Sequence, residues 1–255
     1  MSSNYRSILN AQGSSFASTN SFTFDGNDDY VDCGDNDNLS FGNATTDSAF
    51  SISAWVKITD ATRFRIVSKL NGSNAEYAFF TSAADQLYFA LYDNTTSVRI
   101  SRFTSSTLTT YEGQWIHLAA TYNGSGSSSG LKMYLNNTRI DNSTSDVGAY
   151  TAMHNTTASF EIGKYLTSSA NGLIDEVSIF NTELSGGFAG SDITTIYNGG
   201  VPNDISSFNP ISWWRMGEEA SYAGGAWTLV DQGSGGNDGT SDTLPPEAIS
   251  TDVPT

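Results

Sequence analysis

The sequence predicts an all-β chain folded as an antiparallel β-sandwich with long loops and little helix. Three observations carry that prediction. Apolar residues recur at every second position in run after run, the period at which one face of a strand meets a core. Clusters of Gly, Asn and Ser separate the runs at short intervals, as hairpin turns do. Helical periodicity is scarce, and a surface made polar by Ser, Thr, Asn and Gly suits turns better than helix interiors.

The elements follow in chain order. Residues 22–37, "FTFDGNDDYVDCGDND", set Phe22, Phe24, Tyr30 and Val31 among six aspartates. In "AFSISAWVKI", Phe50, Ile52, Ala54, Val56 and Ile58 share one face, opposite Ser51, Ser53, Trp55 and Lys57. "QLYFALYDN" sets Leu87, Phe89 and Leu91 against Tyr88, Ala90 and Tyr92. "QWIHLAATYNGS" sets Ile116, Leu118, Ala120 and Tyr122 against Trp115, His117, Ala119 and Thr121. "GLKMYLNN" alternates Leu131, Met133 and Leu135 with Lys132 and Tyr134, and "SFEIGKY" and "GLIDEVSIFN" keep the same period. "KLNGSNA", "YDNTTS", "YNGSGSSSG", "LNNTRIDNS" and "SSANG" are the turns between runs. One short helix is expected over 191–198, capped by Ser191 or Asp192, with Ile193, Ile196 and Tyr197 inward and Gly199 as the stop.

Charge narrows the partners. With 11 Lys plus Arg against 27 Asp plus Glu, the chain of 255 residues carries a formal −16. Such a surface repels phosphate backbones and anionic lipid, so neither a nucleic acid nor membrane insertion is expected, whereas divalent cations and neutral glycans are compatible. No run approaches the roughly 18 apolar residues of a membrane span. Cys33 is the sole cysteine, which excludes an intrachain disulfide. The first twenty residues lack an apolar core segment, so no secretory signal is expected there.

The order of the motifs "FDGNDDYVDCG", "FSISAWVKI", "QWIHLAATYNG", "LKMYLNNTRI", "FEIGKY" and "NGLIDEVSIFNTELS" resembles the concanavalin A-like, laminin G-type jelly roll over about residues 21–200. The resemblance implies two antiparallel sheets, one of them concave, glycan or protein ligands, and a structural calcium ion. On this reading residues 1–20 are an N-terminal arm that could dock on a partner, and residues 201–255 are a C-terminal tail. The tail departs from the family order, because a "W…D…SG…NDGT" segment usually precedes the "FDG" strand. It either returns to fill that strand position in its own sandwich, the favoured reading, or pairs with a neighbouring subunit.

Asp25 and Asp175 are the metal candidates. Ile174 and Val177 do not share a face of a regular strand, so the strand around Asp175 reads as apolar on both sides, where a carboxylate is costly unless paired or bound to a cation. The resemblance implies that the aspartate of "IDE" binds calcium with backbone carbonyls of the early strands, and Asp25 stands at the matching "FDG" start. Oxygen-only ligation selects such a hard cation. The competing reading makes Asp25 the cap of a turn through Gly26 and Asp175 an acceptor of backbone N–H groups. Asp28, Asp29, Asp32, Asp35 and Asp37 read as solvated, with Asn27 or Asp28 the next ligand in line.

Catalysis finds little support. The E-x-D-x-x-E and E-x-D-x-E patterns of glucanases on this sandwich are missing, and adjacent Asp175 and Glu176 should point to opposite faces of a regular strand. His117 and His154 read as a strand and a loop residue, with no nucleophile elbow to support a triad. The ligand candidates are Trp55, Tyr88, Tyr92, Trp115 and Tyr134, on the faces opposite the apolar rows. On an open concave sheet they stack on sugars, and on a covered one they seal its margin. The composition and the closing "DQGSGGNDGT…STDVPT" resemble laminin G-type proteins of tailed marine bacteriophages. That resemblance implies a non-enzymatic virion surface protein, a capsid decoration or tail-associated adhesin, located on the virion or otherwise outside the cell. Its expected partners are capsid or tail proteins, host-surface glycans and further copies of itself. The alternatives are a glycan hydrolase or lyase on the same fold, and a purely structural cement protein.

Overall fold

The computed structural model describes residues 16–255, so most of the N-terminal arm lies outside the described residues. The early strands are β1 (Ser21–Asp25), β2 (Val31–Asp32), β3 (Phe50–Ile58), β4 (Arg65–Leu70), β5 (Ala75–Thr81), β6 (Leu87–Tyr92) and β7 (Arg99–Phe103). Next come β8 (Trp115–Tyr122), β9 (Leu131–Leu135), β10 (Thr138–Arg139), β11 (Ser143–Thr144), β12 (Phe160–Ile162), β13 (Lys164–Tyr165), β14 (Ser168–Ser169) and β15 (Asn171–Phe180). After α1 (Asp192–Tyr197), the tail supplies β16 (Ser212–Trp214), β17 (Ser221–Ala223), β18 (Ala226–Leu229), β19 (Gly239–Ser241) and β20 (Ile249–Ser250).

Two antiparallel sheets form the sandwich. The first runs β10-β9-β8-β3-β15-β1-β20, with β16 also on β15, and the second runs β11-β7-β6-β5-β4-β12-β2-β19-β18-β17. The alternating rows meet between them as expected: Phe50, Ile52, Val56, Leu87, Phe89, Leu91, Ile116, Leu118, Leu131 and Met133 all lie in one core. Phe50 anchors it, parallel to Phe41 at 4.3 Å and edge-on to Phe89 at 5.7 Å.

The C-terminal segment adds strands to both sheets. Beside β15, β1 covers Asn171–Ile174, and β16 continues the same edge over Val177–Ile179. On the other sheet β19 pairs with β2, and on the first sheet β20 lies against β1. Asp231 ties the connecting loop: its carboxylate accepts the backbone N–H groups of Trp213, Gly233 and Asn237 at 2.8 Å each. Trp214 is fully buried in the core, stacked on Phe160 at 5.3 Å, while Trp213 faces outward from the same sheet.

The helix forms where expected, and Ser191 caps it by accepting from the Thr194 N–H at 3.3 Å. Asn198 takes the left-handed position at its end, with φ at 46°, and Gly199 follows it there with φ at 70°. Asparagine tolerates that region because its short side chain bonds locally.

Candidate functional site

The outer face of the first sheet is closed. Residues 184–213 run back across it and form a second apolar cluster of Ala119, Tyr134, Phe180, Leu184, Ile193, Ile196, Ile205 and Trp213. Trp55 is buried beneath this layer, stacked on Tyr197 at 5.8 Å and 5.1 Å from the His117 ring. Trp55 and Tyr134 were expected as ligand-stacking rings, and the structure corrects that: each is covered by the chain's own return segment. Trp115 stands at the rim, where its indole N–H donates to Asp252 at 2.8 Å beside the Lys57 ion pair.

The outer face of the second sheet differs. Cross-strand register places Arg65 on β4 opposite Phe80 on β5, Phe80 opposite Tyr88 on β6, and Tyr88 opposite Phe103 on β7. The result is one row across four strands, about 14 Å wide at the usual spacing of about 4.8 Å. Tyr88 lies parallel to Phe103 at 4.8 Å and to Phe80 at 5.6 Å, and Tyr165 of β13 closes the row 4.9 Å from Phe80. Phe80, Tyr88, Phe103 and Tyr165 are all part-exposed. Tyr92 is not: it is buried, with its hydroxyl 3.1 Å from that of Tyr165. Of the five aromatic candidates, only Tyr88 belongs to an open row, and its role changes. Parallel neighbours cover both faces of its ring, so it turns edge and hydroxyl to solvent and cannot stack a sugar on its face. Beyond Tyr165, the β13–β14 hairpin borders a polar cleft of about 370 Å³ lined by Asp25, Asn27, Asp60, Arg63, Ser169 and Asn171 among others.

The metal candidates separate. Antiparallel register sets Asp25 opposite Asn171 and Phe22 opposite Ile174, so Asp175 lies at the far end of β1 from Asp25. They do not share a site. Asp25 accepts the Asn27 backbone and side-chain N–H groups at 2.8 Å each, and these bonds hold its carboxyl below the usual range. Gly26 follows with φ at 84°, so this is the turn cap of the competing reading. Its neighbour Asp29 is buried, and desolvation lifts its carboxyl to about 6.

Asp175 enters a different cluster. A one-residue bulge between Asp175 and Ser178, with Glu176 at φ 50°, resets the alternation of β15. Ile174 and Val177 therefore both reach the main core, and the expectation of two apolar faces fails. The expectation that Asp175 and Glu176 point apart fails for the same reason, since one oxygen of each comes within 4.8 Å of the other and of Glu218. Asp175 accepts from the Ser18 hydroxyl at 2.7 Å and from the Glu176 N–H at 2.8 Å. Glu176 accepts the Trp213 indole N–H at 2.6 Å and Arg215 Nε at 3.1 Å. Glu218 takes the backbone N–H groups of Thr19 and Asn20 on one oxygen, and its other oxygen is buried with no partner among the described residues. Desolvation raises Asp175 well above the carboxylate range and Glu176 to about 7. Glu218, which sequence reasoning missed, sits in the C-terminal tail, far in sequence from the motif that holds Asp175 and Glu176.

The chain is similar to a heptameric SAP-like pentraxin from Limulus polyphemus, at 14% identity and TM-score 0.45 over 70% of this chain and 82% of that one. It is similar to the CBM40 of a Ruminococcus gnavus IT-sialidase bound to α2,3-sialyllactose, at 13% identity and TM-score 0.50, covering 73% of this chain and all of that one. Mouse laminin α1 domains LG4-5 match at 10% identity and TM-score 0.44, over 64% of this chain and 41% of theirs. No curated protein matches the sequence. At 13% identity the likeness to the CBM40 shows the fold alone. A laminin G-type family model matches residues 25–187, and on that match the chain belongs to the concanavalin A-like lectin/glucanases superfamily.

Proposed function

We propose that the chain is a non-enzymatic glycan-binding module displayed on a virus particle, as a capsid decoration or tail-associated adhesin. The observation that supports binding is the asymmetry of the two outer faces: one is sealed by residues 184–213, and the other carries the part-exposed row of Phe80, Tyr88, Phe103 and Tyr165. Part-exposed aromatics fixed on rigid strands offer apolar contact at little entropic cost. The virion location rests on the sequence resemblance to phage proteins. Screening the protein on a glycan array, with Tyr88→Ala as control, tests the first part. Binding lost in the variant supports it, and an array blank for the folded wild type contradicts it. A particle reconstruction locating the chain on capsid or tail tests the second, and absence from the particle refutes it.

Calcium belongs to the same proposal, on Asp175 with Glu218 and without Asp25. Among the described residues the three acids face Arg215 as their one cation, and the buried Glu218 oxygen, unpartnered among them, is the kind of donor a hard cation satisfies. Bound there, the ion would pin residues 16–20 and the tail to β15. The hydrolytic alternative needs paired acids open to a polymer. Asp175 and Glu176 are buried, Glu218 is only part-exposed, and the pocket that reaches Glu176 has a volume of about 10 Å³.

A further inference from the structure

Arg65 stands at the head of the aromatic row and is buried, at 6% exposure. The other buried cation, Lys69, lies 2.7 Å from Asp35 and 3.2 Å from Glu76, and Arg102, Arg139 and Arg215 each hold a carboxylate. Among the described residues Arg65 holds none. One of its five N–H donors reaches the Thr81 carbonyl at 3.1 Å, and its Nε is enclosed with no partner. Its Nη2 makes no hydrogen bond to a described residue and is not fully enclosed, so this end of the guanidinium keeps contact with solvent beside the row. Phe80 and Tyr165 cover the rest, with centroids 5.5 and 5.0 Å from Cζ. Burial lowers the guanidinium only to about 10, so it stays charged at neutral pH.

A desolvated cation without a counter-ion is expensive, and a ligand anion is the partner that relieves the cost. The rest of the row has matching polarity: its rings stand face to face, and the edges they turn to solvent are the positive rim of the aromatic quadrupole. Exposed Arg63 is close enough to act on Arg65 as a like charge. The molecule's formal −16 opposes this only at long range, because charges more than about 8 Å away are screened at physiological salt.

Resting on the glycan-binding reading of this row, we infer that its ligand is an acidic glycan whose carboxylate or sulfate group pairs with Arg65. The fork of the guanidinium suits either anion, and a neutral sugar leaves the charge unrelieved.

Isothermal titration at physiological ionic strength with three oligosaccharide probes of equal length tests this: galactan, oligogalacturonate and sulfated galactan. At least one acidic probe should bind tenfold or more tighter than galactan, and Arg65→Gln should abolish that preference while leaving galactan binding in place. The carboxylate and sulfate arms identify which anion is used. In the wild-type protein, the Arg65 Nε–H resonance should shift with the preferred acidic probe and stay still with galactan, a readout that does not depend on the variant's folding. Equal binding of all three probes, sensitive to Tyr88→Ala, overturns the role of Arg65 and leaves the row as a glycan site. A preference that survives Arg65→Gln, or a still resonance, overturns it likewise. Failure of every probe, neutral and acidic, overturns the glycan reading itself.

Discussion

At residue scale, single carboxylates behave according to what the backbone does beneath them. Asp175 and Glu176 look like opposed neighbours in sequence, yet the left-handed turn of the bulge at Glu176 gathers them with Glu218. No periodicity announces a bulge, which is why this cluster was only half legible. Glu176 supplies a pH test. Burial lifts its carboxyl from 4.5 to about 7, against the pull of Arg215 and Trp213, so the folded form keeps a proton that the unfolded chain releases. Without calcium, the Glu176 share of stability should therefore be lost as pH rises from about 4.5 to about 7, and Glu176→Gln should remove that share of the slope in a series of melting curves. Calcium at one hundred times its Kd should add about 2.7 kcal/mol, lost on chelation and absent in Asp175→Asn; melting temperatures indifferent to calcium would leave the cluster metal-free. Trp214→Ala should cost about 3–5 kcal/mol in denaturant unfolding, because it removes a stacked core ring and strands the Asn237 carbonyl that its indole N–H serves.

At the scale of elements, the strands with unbroken two-residue alternation were legible, and so was the capped helix. The same faces failed as a guide to ligands. Trp55, Tyr92 and Tyr134 do lie opposite the core rows, but alternation within a strand says nothing about whether a later segment returns to cover that face. The row itself depends on register between hairpins, which brings Arg65, Phe80, Tyr88 and Phe103 to one level, and no single strand's sequence contains that information. The C-terminal strands complete edges on both sheets, so removing them uncovers β15, β1 and β2 together. Truncation after Phe208 should abolish the cooperative melting transition followed by near-ultraviolet circular dichroism. A truncated chain that still melts cooperatively would show that the tail is dispensable.

For the whole molecule, the fold assigns different work to two similar faces. One layer of return chain converts the first sheet's outer surface into a second core, and the opposite sheet keeps a part-exposed row of ring edges headed by a buried guanidinium with no carboxylate partner among the described residues. Composition foretold an acidic, sheet-rich body compatible with glycans, and it concealed a local reversal of charge that depends on one residue's surroundings. Hydrogen–deuterium exchange with and without a saturating glycan identified on the array measures the division of labour directly. Added protection should fall on β4 to β7 and the β13–β14 hairpin while the α1 layer stays unchanged. Protection confined to the α1 layer, or to the rim around Trp115, would contradict it.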